Sequence, residues 1–329
     1  MKNTLELVCP AGTPAALRAA VEAGADCVYL GFRDETNARN FPGLNFSREE
    51  LADAIVFAHQ RNVQILLAIN TYPEAGNASP WHHAVDDAAQ MGVDAVILAD
   101  IGLLDYAANK YPDLRRHLSV QASASNPDSI NFYQQHFGVK RVVLPRVLTV
   151  AEIGRLNKQI DVETEVFVFG GLCVMAEGRC SLSSYATGVS PNKNGACSPA
   201  SHVRYEETGD GLVSRLGEYT INEFSNDEPA GYPTLCKGRF VTNDKVSYLF
   251  EEPTSLSVSM MLPELIEAGV TALKIEGRQR SRAYVKSVVS SFRQAVDAVS
   301  RGKTPPPMDL SSLSEGGRQT TGVYEKTWR

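Results

Sequence analysis

Apolar runs that each follow a glycine recur along the chain. Four segments share this form: AGADCVYLG (23–31), MGVDAVILAD (91–100), FGVKRVVLPR (137–146) and AGVTALKIEG (268–277). Glycine readily takes the left-handed conformation in which many helices end. The aliphatic run after it is typical of a parallel strand that is covered on both faces. Each segment therefore predicts the end of a helix followed by a buried strand.

Four further apolar runs fill the gaps between these segments. They are LELVCPAG (5–12), VQILLAIN (63–70), LSVQAS (118–123) and EVFVFG (165–170). Helix starts lie between the runs: Thr13 precedes Pro14, and Ser47 stands three residues before Glu50, as in a capping box. Eight strands that alternate with helices predict an α/β fold, a (β/α)8 TIM-like barrel. A doubly wound open sheet is the alternative.

The spacing between the predicted strands predicts the domain organisation. About a hundred residues separate the seventh strand from the eighth, far more than one crossover helix needs. We therefore expect a barrel from residues 1–170 and 262–303, an insertion at 171–261 and an extended C-terminal tail at 304–329. Within the insertion, VRYEETGDGLVSRL and GRFVTNDKVSYLF predict two hairpins. Loops after barrel strands build the active face, so the insertion is expected to lie at that face.

The insertion contains four of the six cysteines. They are Cys173, Cys180, Cys197 and Cys236. Structural zinc commonly uses a pair of ligands two to four residues apart, and no such pair is present here. Widely spaced thiolates suit an iron–sulfur cluster, while zinc and unliganded thiols stay open as alternatives. Basic residues that would offset the charge of a cluster lie close by in sequence, namely Arg179, Lys193, Lys237 and Arg239.

Polar residues gather at the predicted carboxyl ends of the strands. The candidate substrate-binding residues are Asn37, Arg39, Asn70, Gln121, Arg146, Glu276 and Arg278. Arginine binds carboxylate or phosphate through two parallel hydrogen bonds, which predicts an anionic ligand at the barrel mouth. The alternative for each residue is an ion pair that closes the end of the barrel. Glu165 begins its predicted strand and is therefore expected to form a structural ion pair at the opposite face.

Composition and motif content argue against several classes of protein. The chain is 43% hydrophobic and 21% charged, with a net charge of −6, which argues mildly against non-specific binding to nucleic acid. It has neither an apolar run long enough for a membrane helix nor the apolar core of a signal peptide, so we expect a cytoplasmic protein with reduced thiols. Neither G-x-S-x-G nor H-E-x-x-H occurs, so no catalytic residue is assigned.

The stretch that leads into the cysteines resembles a known signature. Glu165-x-Phe167-x-x-Gly170-Gly171-Leu172-Cys173-x4-Gly178-x-Cys180-x-Leu182-Ser183 is similar to that of the collagenase-like peptidase family, which usually has Ser or Ala where Gly171 stands. Longer segments resemble the ubiquinone-biosynthesis branch of this family, the UbiU type. They are CPAG (9–12), TNAR (36–39), SVQAS (119–123), VVLPR (142–146), GACSPA (195–200), GYPTLCKGR (231–239), EEPTSL (251–256) and KIEGRQRS (274–281).

This resemblance implies a cofactor, a partner and a reaction. It implies a 4Fe–4S cluster on Cys173, Cys180, Cys197 and Cys236, and a heterodimer with a UbiV-like paralogue. The implied reaction is the oxygen-independent hydroxylation of a ubiquinone precursor ring during anaerobic growth. Relatives that hydroxylate RNA bases are linked to prephenate as hydroxyl donor, and arginines at the barrel mouth suit this dicarboxylate. The alternatives are hydroxylation of RNA bases, peptide hydrolysis, and a non-catalytic subunit that relays electrons.

Overall fold

The computed structural model describes residues 5–175 and 180–325. In chain order its strands are β1 (Glu6–Pro10), β2 (Cys27–Gly31), β3 (Gln64–Ile69), β4 (Ala95–Leu98), β5 (Arg116–Leu118), β6 (Arg141–Val143), β7 (Glu163–Gly171), β8 (Val203–Thr208), β9 (Gly211–Leu216), β10 (Tyr219–Ser225), β11 (Arg239–Thr242), β12 (Lys245–Tyr248), β13 (Ser255–Ser257), β14 (Ala272–Ile275) and β15 (Gln319–Thr320). The α-helices are α1 (Pro14–Glu22), α2 (Arg48–His59), α3 (Ser79–Met91), α4 (Ile101–Lys110), α5 (Pro127–Phe137), α6 (Val150–Asn157), α7 (Ser181–Thr187), α8 (Pro191–Asn194), α9 (Leu262–Glu267) and α10 (Arg282–Ser300).

Eight parallel strands close into a barrel. Each of β1 to β6 pairs in parallel with the next strand, and β14 pairs in parallel with both β7 and β1. An open sheet has two unpaired edges, so the closure through β14 excludes the doubly wound alternative. The predicted (β/α)8 TIM-like barrel is therefore confirmed.

The helices begin where the sequence predicts and cover the outside of the barrel. Thr13 accepts a hydrogen bond from the amide of Ala16, and Ser47 and Glu50 form the predicted capping box. Helix α10 buries Val288 and Phe292 completely against the barrel. Across the described parts of the chain, no helix has the length and apolar character needed to cross a bilayer.

The fifth strand differs from its prediction. The sequence predicted a strand over 118–123, whereas β5 ends at Leu118 and a single 3₁₀ turn spans Val120–Ala122. The hydroxyl of Ser119 accepts a hydrogen bond from the amide of Gln121, and Ser123 adopts a left-handed φ of 55°. Serine competes in this way for backbone groups that a strand would use. The turn points Gln121 towards the barrel mouth.

Two small antiparallel sheets lie within the insertion. Strands β8, β9 and β10 make a three-stranded sheet, so the first predicted hairpin is extended by one strand. Strands β11 and β12 form the second predicted hairpin, whose turn residues Asn243 and Asp244 both have positive φ, at 51° and 58°. Asparagine and aspartate tolerate this conformation, which the tight hairpin turn requires.

The described part of the C-terminal tail is attached to the barrel. Strand β13 pairs antiparallel with β7, and β15 pairs in parallel with β13. The hydroxyl of Tyr324 donates a buried 2.6 Å hydrogen bond to the carbonyl of Phe167 in β7. Strands β13 and β15 thus continue the sheet beyond β7.

The interior of the barrel contains both apolar and charged side chains. Arg141 lies 2.6 Å from carboxylate oxygens of both Glu6 and Glu163, and 3.5 Å from Glu165. Glu165 also pairs with Lys274 at 2.6 Å and is completely buried. The ion pair predicted for Glu165 is present, but the residue is the third of β7 and lies within the barrel rather than at its far end.

Arg141 is expected to be essential for the stability of the barrel. Replacing it by methionine leaves Glu165 with only Lys274 and removes the cation between Glu6 and Glu163. Loss of one partner from a buried ion pair costs about 3–5 kcal/mol. Urea unfolding followed by circular dichroism should show this loss for Arg141→Met, whereas Arg301→Met, at an exposed position, should change stability by less than about 0.5 kcal/mol. Equal stabilities of the two variants would contradict this role.

Candidate functional site

A cavity opens at the carboxyl ends of the barrel strands. Its volume is about 70 Å³. Its lining includes Tyr29, Arg39, Asn70, Gln121, Arg146, Phe167, Lys274, Glu276 and Arg278. Six of the seven residues proposed from sequence thus surround one cavity, and the seventh, Asn37, contacts it through Arg278. Ligand sites in such barrels lie at this end of the strands.

Arg278 is fixed in the wall of the cavity by its neighbours. It is only 5% exposed, and its Nη1 atom donates a 2.7 Å hydrogen bond to Oδ1 of Asn37. A Cβ atom at Gly31 would lie 2.5 Å from the amide carbon of Asn37 and 2.8 Å from Nη1 of Arg278. Burial lowers the pKa of Arg278 to about 10, and the nearby charge of Arg39 acts in the same direction. The guanidinium is therefore a pre-positioned cation with little water around it.

Two further arginines reach the cavity from different elements. Arg39 belongs to the loop after β2, and this loop is fastened by the amide of Ala38, which donates a 3.0 Å hydrogen bond to Oδ1 of Asn70. Arg146 follows β6; it donates a 2.6 Å hydrogen bond to the carbonyl of Gly171 and lies over the ring of Phe167 at 4.5 Å. The cavity therefore has cations on three of its sides.

Lys274 is a cavity residue that the sequence did not single out. Its Nζ atom donates a 2.6 Å hydrogen bond to Glu165 and lies 3.8 Å from the centre of the Tyr29 ring. Burial lowers the pKa of Lys274, while the adjacent Glu165 carboxylate opposes that shift. A signal was present in the sequence: Lys274 interrupts an otherwise apolar strand two residues before Glu276, so both side chains point into the barrel.

The six cysteines, all within the described residues, divide into two groups. Cys9 and Cys27 are buried in the barrel, form no disulfide and act as packing residues. The other four lie on the insertion at the mouth, where Cys173 is exposed and Cys180 and Cys236 are half-buried.

The four insertion thiols are close enough to influence one another. The charge of Cys180 acts on Cys197, and those of Cys173 and Cys197 act on Cys236. Burial raises the pKa of Cys236 to about 11, while a hydrogen bond from Thr234 opposes the shift. Among the residues whose positions the structure gives, no three His, Cys, Asp or Glu side chains are arranged around a single metal ion.

Positive charges accompany these thiols. Cys197 is exposed as a residue, but its thiol is shielded from solvent, which raises its pKa against the opposing charges of Arg39 and Lys237. Arg179, the further cation expected from sequence, lies outside the described residues together with Gly178 of the signature. Arg39 therefore borders both the cavity and the cysteines.

The segment that carries Cys197 packs directly on the loop that carries Arg39. Gly195 adopts a φ of 76°, and a Cβ atom there would lie 2.2 Å from the carbonyl oxygen of Asn37. The carbonyl of Cys197 accepts a hydrogen bond from the hydroxyl of Ser183, three residues after Cys180. The cysteine segments and the cavity thus share a wall formed by residues 36–40.

Glu315 of the tail joins the cysteine segments to the barrel. Its carboxylate accepts hydrogen bonds from Nζ of Lys237, next to Cys236, and from Arg280 at 3.0 Å. A Cβ atom at Gly171 would lie 2.7 Å from Oε1 of Glu315, so the glycine makes room for this carboxylate. Glu315 was not expected to be functional, because the tail has little apolar content and no recognisable motif.

Comparison with known proteins adds a family model and several relatives. The model described as "Peptidase family U32" matches residues 12–322. The tRNA hydroxylation protein P1 of Bacillus subtilis is 30% identical over 89% of this chain and 63% of its own length. The tRNA hydroxylation protein P of Escherichia coli is 33% identical over 94% of this chain and 70% of its own length.

A third relative acts on ribosomal RNA. The 23S rRNA 5-hydroxycytidine C2501 synthase of Escherichia coli is 30% identical over 95% of this chain, which spans 42% of that protein. The chain therefore spans less than two thirds of the length of two of these three relatives. Among solved structures, the U32 peptidase Mk0906 matches 51% of this chain and 70% of its own, with 16% identity and a TM-score of 0.43.

Gly195 is expected to hold the cysteine segment against the loop at 36–40. In Gly195→Ala the new methyl group meets the backbone of that loop, and the positive φ adds strain. Gly188→Ala is a matched control because its φ is 69° and no atom lies within 4 Å of the added Cβ. We expect Gly195→Ala to lose about 1–3 kcal/mol more stability than the control, with faster hydrogen exchange at residues 36–40. Similar exchange in both variants would show that this contact is dispensable.

Proposed function

This chain belongs to peptidase family U32, and on that basis we propose that it takes part in the hydroxylation of a ring substrate, with an RNA base as the first candidate. Hydroxylation as the general reaction is supported by relatives of about 30% identity that are tRNA and rRNA hydroxylation proteins. The chain matches these relatives over most of its own length. We therefore propose its exact reaction, its substrate and its partners from this similarity together with the geometry of the cavity.

The proposal rests mainly on the loop at 36–40, which separates the cavity from the cysteine segments and contacts both. The loop at 36–40 places Arg39 against the cavity and also supports Gly195, two residues before Cys197. A redox group on the cysteines would therefore lie beside a small cavity rich in cations. Such an arrangement suits chemistry in which a bound reactant and an electron carrier must be close together.

We propose that Cys173, Cys180, Cys197 and Cys236 hold an iron–sulfur cluster. A tetrahedral zinc ion, with Zn–S bonds of about 2.3 Å, would need its thiolates gathered around one point. The described residues contain no such group, although the four thiols influence one another electrostatically. A 4Fe–4S cluster binds one thiolate at each of four separate irons and so accepts a wider arrangement. When bound, the cluster would carry electrons for the hydroxylation.

The cavity residues would bind the second reactant. Arg39, Arg146 and Arg278 approach from three elements and suit a ligand with carboxylate groups. Prephenate, a dicarboxylate, is the hydroxyl donor that we propose on the basis of the family resemblance. Gln121 and Asn70 offer amide groups that would orient its polar atoms.

The ring of a ubiquinone precursor is the second candidate substrate, with a UbiV-like paralogue as partner. Charge favours it: the net charge is −6, and residues 171–261 contain seven basic and eleven acidic residues, a net of −4. An acidic surface beside the mouth disfavours the phosphate backbone of RNA. The long motifs GYPTLCKGR and KIEGRQRS, which resemble the ubiquinone-biosynthesis branch, support the same candidate.

The cluster can be tested by chemical analysis of protein purified without oxygen. We expect about four irons and four sulfides per chain, a broad absorption in the visible range, and loss of both on Cys180→Ser or Cys236→Ser. Cys27→Ala is the control, because Cys27 lies inside the barrel, and it should keep full iron content. Zinc or no metal in the anaerobic wild-type protein would overturn the cluster.

The substrate can be tested in a strain from which the gene is deleted. Mass spectrometry of digested RNA and of extracted quinones, after anaerobic growth, should show one hydroxylated product missing and restored by the wild-type gene. Loss of a hydroxylated nucleoside supports the RNA base, and loss of ubiquinone supports the second candidate. If both products persist while the purified protein cleaves peptides, hydroxylation is wrong and the peptidase alternative is supported. Restoration by Arg278→Met with an intact cluster would favour an electron-relay subunit.

A further inference from the structure

The floor of the mouth cavity is formed by a buried lysine. Lys274 is the third residue of β14, is 5% exposed, and lines the cavity together with Arg278. Lysine is rarely buried to this extent unless it is paired. Its contacts with Glu165 below and with the Tyr29 ring beside it keep the ammonium at the axis of the barrel. An ammonium has three N–H donors, so this geometry directs positive charge into the cavity.

The charges around the cavity do not balance. Arg39, Arg146, Lys274 and Arg278 contribute four cations, and Glu276 is the one carboxylate among the described lining residues. Glu165 lies behind Lys274 and partly offsets it. A water-poor cavity with excess positive charge favours an anion, because charged groups out of water need compensation.

The layer beneath Lys274 is built from paired charges. Nη1 of Arg141 and Oε2 of Glu165 are buried and face one another as an ion pair at 3.5 Å. Oε1 of the same carboxylate accepts the 2.6 Å hydrogen bond from Lys274. Arg141 therefore holds Glu165 from below, and Glu165 in turn holds the ammonium at the cavity.

We propose that Lys274 and Arg278 form an anion subsite at the floor of the cavity, which takes a carboxylate or phosphate group of a small ligand. Lys274 would contact that group directly, and Glu165 is a positioning residue that holds the ammonium on the barrel axis. The inference deepens the proposed function, on which it rests, because it assigns the deepest contact of the same cavity. Arg39 and Arg146 border the same cavity.

Isothermal titration calorimetry of the cluster-loaded protein tests the subsite with two probes, succinate and inorganic phosphate. We expect Lys274→Met to weaken binding of the preferred probe by about tenfold or more, as for loss of a charged hydrogen bond. Glu165→Gln removes the carboxylate that holds the buried ammonium, so Lys274 loses its proton more readily; binding should weaken and should recover as the pH is lowered. A merely structural role for Glu165 would not give a loss of binding that a lower pH reverses. The probe that binds more tightly identifies the anion as carboxylate or phosphate.

Two controls keep the outcome unambiguous. Lys303→Met removes an exposed lysine and should leave binding unchanged. If Lys274→Met is unfolded in a thermal scan, Lys274→Gln replaces it, since glutamine still donates a hydrogen bond to Glu165. Unchanged affinity in a folded Lys274 variant, or binding of neither probe to the wild type, would overturn the subsite.

The subsite and the proposed function can fail separately. If a folded Lys274 variant still restores the hydroxylated product and binds the probe like the wild type, the hydroxylation function stands and the subsite is wrong. If binding depends on Lys274 but deletion of the gene removes no hydroxylated product, the subsite stands and the proposed function is wrong.

Discussion

The contact between Glu165 and Lys274 is the interaction on which the barrel mouth depends. The two residues lie on neighbouring strands, and both side chains point towards the barrel axis, where little water can reach them. Neither charge would be tolerated there alone. Arg141 extends the pairing towards Glu6 and Glu163, so a column of alternating charges runs from the amino-terminal end of the barrel to the cavity. The position of the ammonium in the cavity follows from this column.

Above the column, the site is assembled from loops that support one another. The loop after β2 is held by Asn70 on one side and by Gly195 of the insertion on the other. Arg278 reaches the same loop through Asn37. The cysteine segment therefore supports the loop that carries Arg39, although the two lie far apart in sequence. The cysteine segments and the cavity form one unit in this architecture rather than two adjacent modules.

Most strands of the barrel were predictable because each is a buried apolar run, and four of these runs follow a glycine that ends a helix; both features are local. The fifth strand was not, because the hydroxyl of Ser119 ends it after Leu118. Most cavity residues were recognisable from their place at strand ends. Lys274 and Glu315 were missed because their roles depend on partners that lie 109 and 78 residues away, Glu165 and Lys237 respectively. No pattern within either segment identifies such partners.

The carboxylate of Glu315 has a consequence for the order in which the protein is completed. Glu315 is translated 79 residues after Cys236, yet its carboxylate links Lys237, the residue after that cysteine, to Arg280. On the ribosome, all four insertion cysteines emerge before the contact that secures them can form. The four cysteines are therefore available to a ligand before this contact exists, and Glu315 joins the site only afterwards.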